Sequence, residues 1–288
     1  MPLIDWLAAL LVISLWGINF VIIKVGLNDF PPLLLGALRF AAVAFPAIFF
    51  IKRPQIPLKL LLTYGLAISF GQFAFLFTAL YFGMPAGLSS LLLQAQAFFT
   101  VLLAAFILGE QIHAHNLIAI AIALMGLLVI YYGGDTGQSV PMIGLTLTLM
   151  AAFSWAIGNI AIKQAKNVNM LSLVAWGALV PILPFLLCSL LFEGSDLIML
   201  SIKNASGGGI AAVLYQSYAA TLIGYVLWGR LLSQHPVGLV APLTLLVPVI
   251  GLISAAILLN EHLSTMQWFG AAIVMFALIV NVFGRRFR

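Results

Sequence analysis

PAGLSSLLLQAQAFFTVLLAAFILGEQI, residues 85–112, and PVGLVAPLTLLVPVIGLISAAILLNEHL, residues 236–263, align without a gap. Eight positions are identical: Pro85/Pro236, Gly87/Gly238, Leu88/Leu239, Leu92/Leu243, Ala104/Ala255, Ala105/Ala256, Leu108/Leu259 and Glu110/Glu261. Each copy is an apolar run of helix length followed by a lone glutamate. The chain is built twice. Duplication in an apolar, nearly uncharged polypeptide points to a membrane carrier, in which two related halves rock around a site held between them.

The composition agrees. Of 288 residues, 64% are apolar and 7% charged, against about 25% charged in an ordinary soluble domain, and the mean hydropathy is +1.20. Such a surface needs lipid as its solvent, and at roughly 20 residues per span the chain has room for about ten helices. The net charge of +5 resides mostly in loops, where it sets membrane orientation and offers no basic face to nucleic acid. The single cysteine, Cys188, lies in an apolar run and forms no internal disulfide. The N-terminal Met1–Asp5 has no basic flank and carries an acid, so the first apolar run is expected to be a retained span and not a cleaved signal peptide.

Charge, Gly and Pro divide the chain into helices expected at Trp6–Val25, Leu33–Ile51, Leu58–Phe82, Ala86–Gly109, Asn116–Tyr132, Val140–Ile162, Met170–Phe192, Gly209–Leu232, Val237–Leu259 and Thr265–Phe283. Breakers include Gly83-Met84-Pro85, Gly133-Gly134-Asp135 and His235-Pro236. With both termini cytoplasmic, Lys52, Arg53, Lys59, Lys163, Lys166, Arg230, Arg285, Arg286 and Arg288 fall inside, and only Lys24 and Lys203 outside. That is the positive-inside bias. Ser14–Asn19 in the first helix resembles Ser154–Asn159 in the sixth at an offset of about 140, while the fourth and ninth match at 151. The difference is assigned to a polar loop, Glu193–Gly208. Five helices per half is an odd number, so the second copy inserts upside down. The expected fold is an all-α membrane protein: ten transmembrane helices in two inverted five-helix repeats, residues 1–134 and 135–288.

Few residues carry chemistry. Arg39 sits about two turns into the second helix, where a guanidinium costs at least ~2.5 kcal/mol unless paired or wetted. Two readings stand: a cavity cation for a substrate carboxylate, or a side chain snorkelling to the outer headgroups. No charge in the second half matches it. Lys24 and Lys163, each eight residues after a tryptophan, either set topology or bind solute. Asn19 and Asn159 need amide partners in hydrocarbon, so they join helices or line a wet path. Gln72, Gln94 and Gln96 exceed what packing needs and suggest a path lined with hydrogen-bonding groups. Gln94 and Gln96, about 200° apart on a helix, are not expected to share a face. In the eighth helix Tyr218, Tyr225 and Trp228 share one face, with Tyr218 the deepest and the better cavity candidate. Pro242 and Pro248 interrupt the ninth helix as hinges or plain kinks. Glu110 and Glu261, at helix ends, read as solvated caps or contacts between halves.

No carboxylate sits mid-membrane, the four histidines lie in loops without metal-like partners, and no phosphate-binding loop occurs. No cofactor, metal or catalytic set is expected. Proton coupling has no identifiable acid, and passive export fits equally well.

Pro-x-Gly-Leu opening a helix that ends Ala-Ala-x-x-Leu-x-Glu (Ala104–Glu110, Ala255–Glu261) resembles the EamA-type domains of the drug/metabolite transporter superfamily. The likeness covers essentially the whole chain. Residues 14–27, 82–88, 93–100 and 241–249 are similar, more narrowly, to bacterial exporters of O-acetylserine and cysteine. The resemblance implies an inner-membrane exporter of small amino-acid metabolites working by alternating access. It nominates Trp16, Asn19, Gln72, Gln94, Gln96, Trp155, Asn159 and Tyr218 as cavity residues, beside Arg39. Many members of the family have a proline in the fourth helix where this chain has Ala97, which weakens any hinge assumed there. Exporters of aromatic amino acids or drugs remain open in the same fold, and a channel or membrane-embedded enzyme in other classes.

Overall fold

The computed structural model describes residues 1–134, 140–165 and 168–284. Lys166, Arg285, Arg286, Arg288 and Asp135 lie outside the described residues. Ten long apolar helices are present: α1 Leu3–Gly26, α2 Pro32–Phe50, α3 Leu58–Tyr81, α4 Ala86–Leu108, α5 Ala114–Tyr132, α6 Met142–Gln164, α7 Met170–Phe192, α8 Gly207–Gln234, α9 Gly238–Leu258 and α10 Thr265–Phe283. No strand occurs among the described residues. The face bearing Lys24 and Lys203 is termed outer, and the face bearing Met1 inner.

Helix ends follow local chemistry. Pro31, Pro57, Pro85 and Pro141 precede α2, α3, α4 and α6 in extended or near-extended conformation, where a missing N–H costs nothing. Ser264 caps α10 through the Gln267 amide, and Gln267 bonds back to it. Gly109 and Asn260, aligned in the repeat, both take left-handed backbone with φ of 69° and 52°; a glycine or asparagine tolerates that geometry after a helix. One expectation changes. The polar loop Glu193–Gly208 contains a short helix, Ser195–Lys203, with Asp196 in its first turn and Lys203 in its last, charges that suit the helix dipole.

The largest helix pairings cross between the halves: α5 with α10, α1 and α4 with α9, α3 and α4 with α6, and α2 with α7. The start of α4 packs on the end of α9, so these equivalent helices run in opposite directions. At the α5–α10 seam a Cβ on Gly270 would stand 2.9 Å from the Gly126 carbonyl oxygen. Backbone contact of this kind substitutes for a hydrophobic driving force that lipid cannot supply. Phe49, Phe50, Phe106, Leu191 and Phe192 are exposed, as lipid-facing residues are.

The repeat extends to its irregularities. α3 is π-helical over Gly65–Gln72 and α8 over Tyr215–Ile223; adding 151 to the first span gives 216–223. α4 tightens to a 3-10 turn at Leu93–Ala95 and α9 at Ala241–Leu246, and the same offset carries the first onto 244–246. A break in α4 thus forms without a proline. Ser90 and Thr100 donate to the Gly87 and Gln96 carbonyl oxygens, both at 2.6 Å, and such back-bonding bends helices.

Candidate functional site

These breaks surround a cavity of about 370 Å³ enclosed by α1, α2, α3, α4, α6, α7, α8 and α9. Its wall runs from Phe20, Leu76 and Ser90 near the outer side to Ile162, Met170 and Leu232 near the inner side. Trp16, Asn19, Arg39, Gln72, Gln94, Gln96, Trp155 and Asn159 all line it. A second hollow of about 410 Å³, lined by Phe75, Phe99, Thr146, Leu149, Met150, Phe153, Ser154 and Ile157, is open and almost wholly apolar. It is a groove on the lipid side and carries no convergent polar groups.

Arg39 does not snorkel. It is 4% exposed, with its guanidinium carbon 3.9 Å from the centre of the Phe73 ring on α3 and 5.3 Å from that of Phe40. Nη2 donates to Thr221 Oγ1 on α8 at 3.0 Å. Thr221 in turn donates to the Gln216 carbonyl oxygen at 2.8 Å, five residues back, the span of a π-helical turn. Nε and Nη1 of Arg39 are buried without a partner, and no carboxylate pairs with this cation among the described residues. Tyr225 lines the same cavity.

Tyr218 is a correction. It is 38% exposed and lies off the cavity, whose α8 wall is Ala220, Tyr225, Trp228, Gly229 and Leu232. An ordinary 3.6-residue period places Tyr218 and Tyr225 together, but the π segment between them rotates the face. Trp16 packs on Tyr225 and Trp228 with ring centres 5.5 and 5.4 Å apart. Tyr64, Thr244 and Ser90 also line the wall. They give no signal in the sequence, because each sits in an otherwise apolar helix with nothing to fix its direction.

The amides divide by role. Asn159 Nδ2 donates to Gln96 Oε1 at 2.7 Å and Thr100 Oγ1 at 3.1 Å, joining α6 to α4. The Gln94 side chain makes no hydrogen bond to a described residue and lines the cavity. Both glutamines touch the cavity because α4 bends around it at Leu93–Ala95. Pro242 lies within the 3-10 turn of α9 and Pro248 at the start of the helix that follows. The lining residues include no Asp, Glu, His or Cys, and no metal-holding group occurs among the described residues.

At the outer side, carboxylates meet the starts of helices. Glu261 accepts from the Ala86 and Gly87 amides at 2.8 and 3.0 Å and pairs with Lys24 at 3.4 Å. It is thus a contact between halves and a cap at once. Asp29, between α1 and α2, accepts from the Ser206 hydroxyl and amide at the start of α8. The Ser206 hydroxyl has the largest effect and, joined by the Ser206 and Gly209 amides, holds its carboxyl below the usual range; desolvation, second in size, opposes them.

The sequence pattern of the EamA-like transporter family matches residues 4–132 and 142–283. The chain is 53% identical over 288 residues to a probable amino-acid metabolite efflux pump of Escherichia coli (strain K12), covering 99% of this chain and 96% of that one. It is 55% identical, with the same coverage, to a probable amino-acid metabolite efflux pump of Salmonella typhimurium (strain LT2). A solved crystal structure superposes with a TM-score of 0.66 at 21% identity, covering 99% of this chain and 98% of that one. That last likeness concerns the fold alone.

Proposed function

The chain belongs to the EamA-like transporter family, and from that premise we propose that it exports small zwitterionic amino-acid metabolites, cysteine and O-acetylserine among them, by alternating access. It is a multi-pass membrane transporter and not an enzyme. In this reading it sits in a bacterial inner membrane with both termini cytoplasmic, and the halves 1–134 and 135–288 are the bodies that rock.

The observation that carries the reading is Arg39. A buried guanidinium with two unpartnered nitrogens and no acid beside it is strongly unfavourable when the cavity is dry. A carboxylate from the solute supplies the missing charge, and Arg presents a planar fork suited to it. The surrounding amides and hydroxyls suit a compact polar molecule, whereas a greasy cation would meet Arg39 as a like charge. With no titratable acid or histidine in the wall, we read export as driven by the solute's own gradient, without a proton carried in the cavity.

Counterflow of radiolabelled O-acetylserine and cysteine in proteoliposomes tests this. The expected result is trans-stimulated uptake, insensitive to an imposed pH gradient. Arg39→Ala should reduce it about 10- to 100-fold, the scale of a lost charge-assisted hydrogen-bonding site, with Arg39→Lys intermediate. Flux without trans-stimulation would make the protein a channel. Unchanged kinetics in Arg39→Ala would remove Arg39 from the site.

A further inference from the structure

The two asparagines of the repeat are wired differently. Asn159 bonds Gln96 and Thr100 on α4. The offset of 151 places Val247 and Gly251 at the corresponding positions of α9. α1 does pack there, since a Cβ on Gly17 would meet Ile250 at 2.6 Å and the Val247 carbonyl oxygen at 3.0 Å. The wall facing Asn19 therefore offers no side-chain partner. Asn19 is 8% exposed, lines the cavity, and its Oδ1 is buried with no hydrogen bond. A buried amide left unmet is costly, and a ligand in the cavity would relieve it.

Its neighbours say which ligand group. Trp16 lies three residues earlier on the same face of α1. Its indole N–H already donates to the Ala220 carbonyl oxygen at 2.9 Å, so what it offers the cavity is its ring. Tyr225 packs on that ring and lines the same cavity as Arg39. A carbonyl oxygen beside aromatic faces, with no acid present, suits a primary ammonium, which has three donors and is attracted to π faces. The same wall thus joins an anion-seeking group to a cation-seeking one.

We propose that Asn19, with Trp16 and Tyr225, forms an α-ammonium subsite, so that the protein reads both poles of a zwitterion and not a carboxylate alone. This rests on the exporter reading above and narrows its substrate class. Simple carboxylates and N-acylated amino acids are then poor substrates even though Arg39 accepts their charge.

The test uses purified full-length protein and three probes: O-acetylserine, its N-acetyl derivative, which lacks the ammonium, and its methyl ester, which lacks the carboxylate. Binding is followed by tryptophan fluorescence and export by counterflow. The wild type should prefer O-acetylserine over the N-acetyl derivative by about tenfold or more. Asn19→Leu should collapse that preference by about tenfold while leaving the preference over the methyl ester intact, and Asn19→Asp should restore it. Ratios taken within one variant are insensitive to partial misfolding. An equal loss for all three probes, or none, overturns the subsite. A wild type that takes the N-acetyl derivative as readily overturns the subsite and leaves the exporter standing. One that moves none of the three overturns both.

Discussion

The two ends of the molecule share one repeated glutamate–lysine pair and use it differently. At the outer end, three carboxylates each cap a helix that starts in the other half. Glu261 caps α4, Asp29 caps α8, and Glu193 accepts from the Leu33 and Leu34 amides of α2 at 2.6 and 3.1 Å while Ser189 donates to it. Each carboxylate meets the positive end of a helix dipole and its unsatisfied N–H groups. At the inner end, Glu110, the repeat partner of Glu261, pairs with Lys163 at 2.5 Å in a contact about half exposed on both sides. Asp5 there holds His235 at 2.8 Å and Arg230 at 3.6 Å. Glu110/Glu261 and Lys24/Lys163 recur, so for these two contacts the contrast lies in what the fold brings together and not in residue type. At the outer end the carboxylates join the halves, and the cavity wall reaches Ile162, Met170 and Leu232 toward the inner end.

Glu261→Gln gives the largest way to break that contrast. It removes a charge shared by two amides and a lysine, worth about 2 kcal/mol for charged hydrogen bonds of this kind. Such a change multiplies the outward-open population roughly 30-fold. Labelling of a Ser90→Cys reporter in a Cys188→Ala background by an impermeant reagent reads it directly. No gain in labelling would mean that packing, and not the caps, closes this end.

Glu193→Gln comes next. It loses bonds to two amides, but no lysine lies in the contact, so a shift of about 1 kcal/mol is expected, seen with the same reporter. Asp29 sharpens the comparison through pH. Its carboxyl is held below its ordinary value of 3.8, so its clasp is complete above that value and is lost as pH falls through the lowered one. Asp29→Asn should lower the melting temperature near neutral pH, and the deficit should vanish at strongly acid pH. A deficit that persisted there would show that the Asp29 charge is not what holds α8.

The sequence reveals the spans because each is a long apolar run closed by Pro, Gly or charge, and lipid leaves the backbone no alternative to helix. Arg39 stands out for a similar reason: a guanidinium inside an apolar span is costly, so residue type and depth alone mark it. Tyr225 is hidden behind Tyr218 because a π turn changes the period on which the face is counted. The 3-10 break in α4 is hidden because its causes are two hydroxyls and not a proline. The clasps are illegible for want of proximity: Glu193 and Leu33 are 160 residues apart, and only the packed halves bring them together. The difference between Asn19 and Asn159 lies in their neighbours, Val247 and Gly251 against Gln96 and Thr100, and so needs both the repeat and the packing to be read.

Glu110→Gln is the subtlest prediction and the one on which the comparison turns. Its ion pair with Lys163 is exposed and screened, so removing it changes the present state by no more than about 1 kcal/mol. Under the alternating-access reading proposed above, inverted symmetry in a state with the inner end shut would place Glu110 at the start of α9 as Glu261 stands at the start of α4, in a contact of greater worth. The mutation therefore removes more from the inner-shut state than from the outer-shut one. It should move the Ser90→Cys reporter toward less labelling, opposite in sign to Glu261→Gln, and the double variant should fall between the two. Equal signs would mean that these glutamates are independent surface charges and not two positions of one exchanged lock.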